Sequence, residues 1–199
     1  MGTKIVYADS DGVSLAAERL LNGGLVAFPT ETVYGLGANA TDKDAVARIF
    51  SVKARPQNHP LIVHIKGPES VDFWSNSLKR GVDKLIENFW PGPLTLILEC
   101  GPQYKYLTGG QTKIGLRCSS HPTFRSLINE FCNSGGKGLA APSANRFGRV
   151  SPTDAHEVFD ELGEYMNADK DLILNGGESD FGIEDRKSTR LNSSHANIS

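Results

Sequence analysis

The fold of this chain depends on the stretch Ser51-Val-Lys-Ala-Arg-Pro-Gln-Asn-His-Pro-Leu-Ile-Val-His-Ile65, where a predicted helix ends and a predicted strand begins. Lys53 and Arg55 stand two residues apart at the end of the helical pattern, and two prolines precede the apolar strand that carries His64. Cations near a helix C-terminus are favourable in any protein, so a solvated helix end is one interpretation. The other interpretation is that this stretch places positive charge beside a pocket. It is favoured by the two cations, the rigid bend and the strand with one polar residue.

The composition is that of an ordinary globular protein with one large domain. The chain has 199 residues, of which 39% are hydrophobic and 22% charged, and a net charge of -2 gives no overall indication of nucleic-acid binding. Its three cysteines, Cys100, Cys118 and Cys132, have no CxxC spacing, so we expect reduced thiols in a cytoplasmic protein and no metal site. We expect neither a secretory signal nor a membrane-spanning run of roughly 20 apolar residues.

Hydrophobic periodicity on both sides of this stretch predicts strands that alternate with helices. Strands are predicted at 4–8, 25–28, 61–65, 94–99, 114–118, 138–141 and 172–174. Helices are predicted from Ser10 or Asp11 to Leu21, from Thr41 past Phe50, over 68–90, from His121 to Cys132 and from Thr153 to Phe159. Such alternation indicates an α/β or α+β domain with a twisted, mixed sheet.

Three polar loops accompany the predicted strands, at 29–37, 51–60 and 142–152. Ligands of open α/β sheets bind outside the carboxyl ends of strands, so we expect these loops to meet. Arg117 and His64 project from strands of the same pattern. A guanidinium among apolar residues needs an anionic partner, which is either a protein group or a ligand. A lone strand histidine is more often a satisfied residue of the partial core, and that alternative stays open for His64.

Two glycine-rich segments match nucleotide-binding loops only in part. Gly35-Leu-Gly-Ala-Asn-Ala40 fits the pattern G-x-G-x-x-A, but polar residues separate it from the preceding strand, and Asp42 and Asp44 open the next helix. Gly135-Gly-Lys-Gly138 lacks the hydroxyl residue and the spacing of a P-loop, so we predict a turn. Neither segment supports a dinucleotide or P-loop site.

Basic and hydroxyl side chains nevertheless recur in these loops and strands. Ser143 has no G-x-S-x-G context, and a serine beside Asn145 is more typical of a hydrogen-bonding pair than of a nucleophile. Such side chains are either scattered surface cations and capping hydroxyls, or a cradle for a polyphosphate with Mg²⁺ bridging its oxygens. The residues concerned are Lys53, Arg55, Arg117, Ser143, Asn145 and Ser151.

Five longer motifs occur in order along the chain. They are Phe28-Pro-Thr-Glu-Thr-Val-Tyr-Gly-Leu-Gly37, Lys53-Ala-Arg55-Pro56, Pro60-Leu-Ile-Val-His64, Phe89-Trp-Pro-Gly-Pro-Leu-Thr95 and Ser143-Ala-Asn145. Together they resemble the YrdC-like family, the threonylcarbamoyl-adenylate synthases. The resemblance covers about residues 10–184, so we predict a single YrdC-like domain over 1–184 and a disordered tail at 185–199. It implies a twisted, open, mixed sheet flanked by helices, with a concave basic surface.

The resemblance implies an enzyme that joins L-threonine, bicarbonate and ATP into threonylcarbamoyl-AMP and pyrophosphate, for the threonylcarbamoyladenosine modification of tRNA. It implies Mg²⁺ together with ATP, and as partners tRNA or double-stranded RNA and a tRNA threonylcarbamoyl-transferase complex. Implied catalytic residues are Lys53 and Arg55. Implied ATP-binding residues are Lys53, Arg55, His59, Lys113, Ser143, Asn145 and Ser151. Implied threonine-binding residues are Thr32, Tyr34, His64, Arg117 and the backbone of Ala141.

Two positions depart from the family's pattern. His59 stands where the family has asparagine, so it is a different donor toward the nucleotide. After Gly182-Ile-Glu184 the family continues with Ser-Thr, whereas this chain has Asp185, whose carboxylate would repel a carboxylate substrate. Two other functions stay open: a non-catalytic relative that binds RNA through the concave surface, and a carbamoyl-transfer module of a larger maturation enzyme.

Overall fold

The computed structural model describes residues 3–75 and 81–179, and these form eight strands and seven α-helices. The strands are β1 (Lys4–Tyr7), β2 (Val26–Pro29), β3 (Tyr34–Asn39), β4 (Ile62–His64), β5 (Thr95–Glu99), β6 (Lys113–Arg117), β7 (Leu139–Ala140) and β8 (Leu172–Asn175). The helices are α1 (Ser10–Leu21), α2 (Lys43–Lys53), α3 (Val71–Trp74), α4 (Val82–Phe89), α5 (Lys105–Thr108), α6 (Pro122–Asn133) and α7 (Ala155–Leu162). The predicted tail at 185–199 and the departure after Glu184 lie outside the described residues.

The eight strands form one mixed sheet with the order β1-β8-β2-β3-β7-β4-β6-β5. Strand β8 is parallel to β1 and β2, whereas β3 is antiparallel to both β2 and β7. Strand β4 is antiparallel to β7 and parallel to β6, and β5 is antiparallel to β6. These pairings confirm the predicted mixed α/β sheet, and they make β4 and β6 run opposite to β2.

The half of the sheet made by β4, β6 and β5 has one buried face and one open face, because side chains alternate along a strand. Val63, Leu98 and Leu116 point into the larger hydrophobic core, which α2, α3, α4, α5 and α7 also line. Helices α1 and α6 cover the other face, but over β8, β2 and β7. Beside α6 lies a face that we call the open face and define by residues 62 and 64 of β4, 95 and 97 of β5, and 113, 115 and 117 of β6. At one end of this face His64 packs against Phe124 of α6. Ile97 on this face is 43% exposed.

Phe28 explains the two glycines of β3. A Cβ atom on Gly37 would stand 2.4 Å from Cε1 of the Phe28 ring, and one on Gly35 would stand 3.5 Å from its Cε2. The ring lies over both glycines and reaches Phe124 of α6, with 5.3 Å between the ring centroids. The G-x-G pattern therefore makes room for a core aromatic side chain inside a strand, and the rejection of a dinucleotide loop is confirmed.

Three predictions of local structure are wrong. Residues 29–37, expected to be a loop, form a hairpin in which a turn at 30–33 joins β2 to β3, and the low strand propensity of glycine concealed β3. Residues 101–110, which lie between the strands predicted at 94–99 and 114–118 and outside every predicted helix, contain α5. The single helix expected over 68–90 is instead α3 and α4, because the chain becomes extended at Ser75.

Local capping places the ends of α1 and α2. The Asp9 side chain, rather than Ser10 or Asp11, caps α1 by accepting from the Gly12 N–H at 2.9 Å. Helix α2 ends at Lys53 because Ala54 adopts the left-handed conformation, with φ 50°. This turn costs a non-glycine residue about 1 kcal/mol. It separates Lys53, inside the helix, from Arg55, outside it.

Candidate functional site

Arg117, at the end of β6, has the anionic partner that its position among apolar residues predicts. Its Nη2 donates to Oε2 of Glu31 at 2.6 Å, and the two side chains are only 12% and 7% exposed. Glu31 lies in the turn between β2 and β3, so this contact joins the hairpin to β6. The Nε of Arg117 is buried and has no hydrogen-bond partner among the described residues. The protein therefore holds one donor of the guanidinium and leaves another buried donor without a partner among the described residues.

Glu31 is held by four hydrogen bonds. Besides Arg117, its Oε2 accepts from Ser119 Oγ at 2.9 Å, and its Oε1 accepts from the Ser120 N–H and from Ser120 Oγ at 3.0 Å. Burial alone raises the pKa of this carboxyl, but the Arg117 charge and the hydrogen bonds outweigh burial and lower the pKa to about 2. Glu31 is therefore ionised throughout the physiological pH range.

His64, at the end of β4, stands opposite Arg117 in the pairing of β4 with β6. It is 4% exposed and packs edge-on against the rings of Phe28 and Phe124, with centroid distances of 6.2 and 5.3 Å. Burial and then the Arg117 charge lower the pKa of His64 to about 3, against smaller raising effects of Glu31 and the Ala141 backbone. Its Nδ1 is buried without a hydrogen-bond partner in the described part of the chain. His64 is both a core residue and a neutral polar group beside Arg117.

Burial of neutral His64 predicts acid destabilisation. Below pH 6.5 the unfolded chain binds a proton at His64 and the folded chain does not, since the folded pKa is about 3. The free energy of unfolding should therefore fall with decreasing pH by up to about 1.4 kcal/mol per pH unit from this residue. Urea unfolding between pH 7 and 5 should show a shallower pH dependence for His64→Gln than for wild type. Equal slopes for the two proteins would contradict a buried neutral imidazole.

The other predicted threonine-binding residues differ in how deeply they are buried. Thr32 is half-buried in the turn at 30–33, with its Oγ1 3.3 Å from Thr30 Oγ1. The Ala141 N–H donates to the Ile62 carbonyl at 3.0 Å. The Tyr34 side chain is fully buried, and its hydroxyl donates to the Gly177 carbonyl at 2.6 Å.

Tyr34 therefore holds the segment after β8 through its hydroxyl, and its contact with threonine stays a prediction. Burial raises the pKa of Tyr34 to about 12, the Gly176 N–H opposes this shift, and the Asp154 charge adds to it. The phenol is thus neutral at any physiological pH.

Lys53 is buried, with only 1% of its surface exposed. Its Nζ donates to the Ser143 carbonyl at 2.5 Å and to the Asn145 carbonyl. In return, the Lys53 carbonyl accepts from the Phe147 N–H at 2.8 Å. Lys53 thus ties the end of α2 to the loop at 142–152, whereas the sequence resemblance gives it a direct role at the phosphates.

Arg55, His59 and Lys113 lie nearer to solvent at the edge where β4 and β6 begin. The Arg55 Nη2 donates to the Pro60 carbonyl at 3.1 Å. His59 is half-buried and packs edge-on against Phe147, with 5.2 Å between ring centroids. Lys113 is exposed, and its Nζ lies 3.9 Å from Oε1 of Glu99. Ile62 of β4 is paired with Gly115 of β6. Pro60 and Lys113 each lie two residues earlier in the chain, so they occupy neighbouring positions on this edge.

The side chains of the Ser-x-Asn motif are only partly available. Asn145 is 6% exposed, and its Nδ2 donates to the carbonyls of Arg146 and Arg149, each at 2.8 Å. Ser151 Oγ lies 3.4 Å from Asn145 Oδ1. Ser143 is half-buried and bridges to Gly35 of β3. Asn145 therefore fixes the shape of its own loop, while Ser143 and Ser151 lie at its accessible side.

The expectation that the three polar loops meet is confirmed. The expectation that ligands bind at the carboxyl ends of strands that share one direction holds for these loops but not for His64 and Arg117. The loops share the edge where β2 and β7 end and β4 begins, and they are joined there by the Lys53 bonds and by Tyr34 N–H to the Pro152 carbonyl at 2.8 Å. His64 and Arg117 stand at the ends of strands that run in the opposite direction. They belong to the open face, and Glu31 connects that face to the loop edge.

Sequence reasoning missed Glu31, Ser119 and Ser120 as site residues. Glu31 belongs to the motif at 28–37, and the need of Arg117 for an anionic partner is the signal that points to a buried carboxylate. The two serines follow β6 without any pattern that distinguishes them from surface residues. Their role depends on contacts with Glu31, which lies 88 and 89 residues away along the chain.

The described residues offer no dedicated metal centre. Within 3–75 and 81–179, no group of three or more His, Cys, Asp or Glu side chains could hold a metal ion. In the same part of the chain, no helix has the length and apolar character needed to cross a bilayer.

The sheet and the site together define a class of protein. It is an α/β domain whose mixed sheet has an open face with a buried Arg–His pair, and whose loops carry cations and hydroxyl groups along one edge of the sheet. The family described as "Telomere recombination" (Sua5, YciO and YrdC) matches residues 18–186. The chain belongs to this Sua5–YciO–YrdC family.

Curated relatives are named threonylcarbamoyl-AMP synthase. That of Pyrococcus abyssi is 41% identical over 175 residues, which cover 86% of this chain and 48% of the relative. That of Halorhodospira halophila is 32% identical over 174 residues, covering 87% of this chain and 89% of the relative. The chain therefore spans about half the length of the P. abyssi relative.

Solved structures show the same fold. The P. abyssi Sua5 complexed with L-threonine superposes with a TM-score of 0.80 and 38% identity, over 89% of this chain and 51% of that one. E. coli YciO superposes with a TM-score of 0.73 at 24% identity, over 88% of this chain and 84% of that one, which supports the fold alone.

Proposed function

We propose that this chain is the adenylate-forming domain of an L-threonylcarbamoyladenylate synthase. Its substrates are L-threonine, bicarbonate and ATP, and its products are threonylcarbamoyl-AMP and pyrophosphate. One observation carries the proposal: two polar atoms, Arg117 Nε and His64 Nδ1, are buried without a hydrogen-bond partner among the described residues, and they belong to residues that are paired across β6 and β4. Buried polar groups are rarely left unpaired, so the pair marks the place of a polar ligand.

The threonine end of the site follows from charge and shape. A guanidinium binds a carboxylate strongly through charge-assisted hydrogen bonds, so Arg117 takes the carboxylate of threonine. Neutral His64 supplies a ring nitrogen without adding a second positive charge. Thr32, half-buried in the hairpin turn, offers a hydroxyl at the rim. The ligand of the P. abyssi Sua5 structure, L-threonine, agrees with an amino-acid substrate.

The nucleotide end lies at the loop edge. Arg55 and Lys113 bring positive charge toward the phosphates there, and Ser143 and Ser151 add hydroxyl donors on the same edge. His59 stands beside Phe147 at the border of this region. Lys53, buried under the loop at 142–152, keeps the loop backbone in place and adds its charge below the phosphates. Cations in such positions stabilise the charge that develops as pyrophosphate leaves.

The proposed reaction has two steps. The amine of threonine takes up bicarbonate as a carbamate and releases water. One carbamate oxygen then attacks the α-phosphorus of ATP, the bond from that phosphorus to the bridging oxygen breaks, and pyrophosphate leaves with both electrons of that bond. We assign no covalent enzyme intermediate, because positioning and charge neutralisation supply what phosphoryl-type transfer needs.

Mg²⁺ is proposed to enter with ATP. Mg²⁺ in nucleotide sites is commonly held by one or two carboxylates and by substrate phosphates, with water completing the shell. The predicted ATP-binding residues are cations, an imidazole, an amide and hydroxyls, and no cluster of metal-binding side chains occurs among the described residues. We therefore propose that phosphate oxygens and water hold the ion, and that its chemistry is to offset phosphate charge.

The product is a mixed anhydride, which a downstream enzyme must consume promptly. We propose that a tRNA threonylcarbamoyl-transferase complex receives it in the cytoplasm, with tRNA as the final acceptor. Binding of tRNA or double-stranded RNA by this chain itself is proposed as a secondary property.

The test of this function is pyrophosphate release from ATP and bicarbonate, measured with and without L-threonine. We expect release that depends on threonine and saturates with it. Release that is independent of threonine, or none in its presence, would contradict the proposal. A chain ending in Ser-Thr after Glu184, as in the family, is the matched comparison for the effect of Asp185.

A further inference from the structure

We infer that Glu31 is a positioning residue for substrate binding, which fixes the guanidinium of Arg117 so that its Nε faces the amino-acid carboxylate. This inference rests on the proposed function and names a residue that the sequence did not place in the site. Glu31 lies in the turn of the β2–β3 hairpin and reaches Arg117 of β6, although two strands, β7 and β4, lie between the hairpin and β6 in the sheet order.

The hydrogen bonds of Glu31 exclude a direct contact with substrate. An ionised carboxylate offers about four acceptor positions, two on each oxygen. Oε2 accepts from Arg117 Nη2 and Ser119 Oγ, and Oε1 accepts from the N–H and Oγ of Ser120. All four positions are occupied by the protein. Glu31 therefore acts through Arg117, and it has no acceptor left for the ammonium or hydroxyl group of an amino acid.

The same bonds determine which donors of Arg117 remain for a ligand. Glu31 occupies Nη2, and the segment 119–120 holds Glu31 from the other side, so the guanidinium plane is fixed at one corner. Nε is left buried and unpartnered within the described residues, at the strand position that faces His64. A guanidinium without this anchor has several rotamers of similar energy, and ordering it would weaken substrate binding.

A general structural ion pair is the competing explanation, and Asp171 provides a matched control. Asp171 is 2% exposed, accepts from Arg48 Nη2 at 2.6 Å, and also accepts from the backbone N–H groups of Leu25 and Asn167. It is a buried carboxylate with a similar number of bonds, and none of its partners belongs to the site. Loss of a merely structural ion pair should have similar consequences at Glu31 and Asp171.

The experiment compares the KM values for L-threonine and ATP in wild type, Glu31→Gln and Asp171→Asn, together with calorimetric binding of L-threonine. For Glu31→Gln we expect the threonine KM and Kd to rise at least about 10-fold, with the ATP KM changed less than about twofold. For Asp171→Asn we expect a lower Tm with the threonine KM within about twofold of wild type. Ser119→Ala, which removes one bond to Glu31, should raise the threonine KM by about threefold and remains informative where Glu31→Gln does not fold.

The outcomes separate this inference from the proposed function. An active wild type with an unchanged threonine KM in Glu31→Gln, or equal increases in the threonine and ATP KM values, would overturn the positioning role alone. An unchanged threonine KM in Ser119→Ala, where that is the variant that folds, would do the same. A wild type that neither turns over nor binds L-threonine would overturn the proposed function and this inference with it.

Discussion

Replacing Arg117 by methionine is expected to lower kcat/KM for L-threonine at least about 100-fold, which corresponds to about 2.7 kcal/mol of transition-state stabilisation. The guanidinium is the cation predicted to bind the carboxylate on the open face beside His64, and methionine retains its apolar stem without the donors. The same change leaves the carboxylate of Glu31 buried without its counter-charge. Breaking a buried ion pair on one side costs about 3–5 kcal/mol, so urea unfolding should show a marked loss of stability.

A double variant separates the two effects. In Arg117→Met/Glu31→Gln the uncompensated buried charge is gone, so most of the lost stability should return while activity stays low. Arg117→Lys, which keeps the charge but lacks the planar fork, should fall between wild type and Arg117→Met. A kcat/KM for threonine within about threefold of wild type in Arg117→Met would exclude Arg117 as the carboxylate-binding residue.

Replacing Lys53 by methionine is expected to impair both stability and adenylate formation. The buried ammonium donates to the carbonyls of Ser143 and Asn145, and its loss leaves those acceptors without their charged donor. Hydrogen bonds to charged groups contribute about 1.5–3 kcal/mol each, so we expect a loss of about 3 kcal/mol and a Tm lower by roughly 10 °C. Adenylate formation should fall at least about 10-fold, because the loop at 142–152, which we propose to contact the phosphates, is no longer held.

Arg55→Met is the matched variant for Lys53→Met. Arg55 lies outside the helix and is partly exposed, so its replacement should change the Tm little. As a proposed phosphate-binding cation, its loss should also lower adenylate formation at least about 10-fold and raise the ATP KM. Thermal unfolding and ATP titration on the two variants therefore distinguish an anchor from a phosphate-binding cation. A Lys53→Met protein with the wild-type Tm would contradict the anchoring role, and near wild-type turnover in both variants would remove both cations from the phosphate site.

The alternation of strands and helices could be predicted from the sequence because it follows from local periodicity. The helix of α2 and the buried strand β4 were evident on either side of Lys53, since apolar spacing and prolines mark them. The resemblance of five motifs supplied the family, which single motifs could not. Strand β3 was concealed, because its glycines are explained only by the Phe28 ring that lies across them.

The site was predictable as a set of residue types but not as an arrangement. The need of Arg117 for an anion could be stated from sequence, whereas the identity of that anion depends on how the hairpin turn at 30–33 meets β6. The expectation that ligands bind at the carboxyl ends of strands presumes strands that run in one direction. The reversal of β4 and β6 relative to β2 follows from three antiparallel pairings, which local sequence does not reveal.

The burial of Lys53 illustrates the same limit. Lysine at the end of a helix is usually solvated, and only the return of the loop at 142–152 provides the two carbonyls that hold its ammonium. Likewise, His64 could be regarded as either a core residue or a ligand. In the structure it is packed between two phenylalanine rings and still has an unpartnered nitrogen within the described residues.

The most direct test of the central claim is identification of the product made from ATP, ¹³C-bicarbonate and L-threonine. Mass spectrometry should detect a nucleotide that contains AMP, the bicarbonate carbon and threonine in one molecule, formed together with an equal amount of pyrophosphate by the wild-type chain. Arg117→Met should reduce both products together. Pyrophosphate release without incorporation of the labelled carbon, or incorporation that does not require threonine, would contradict the account.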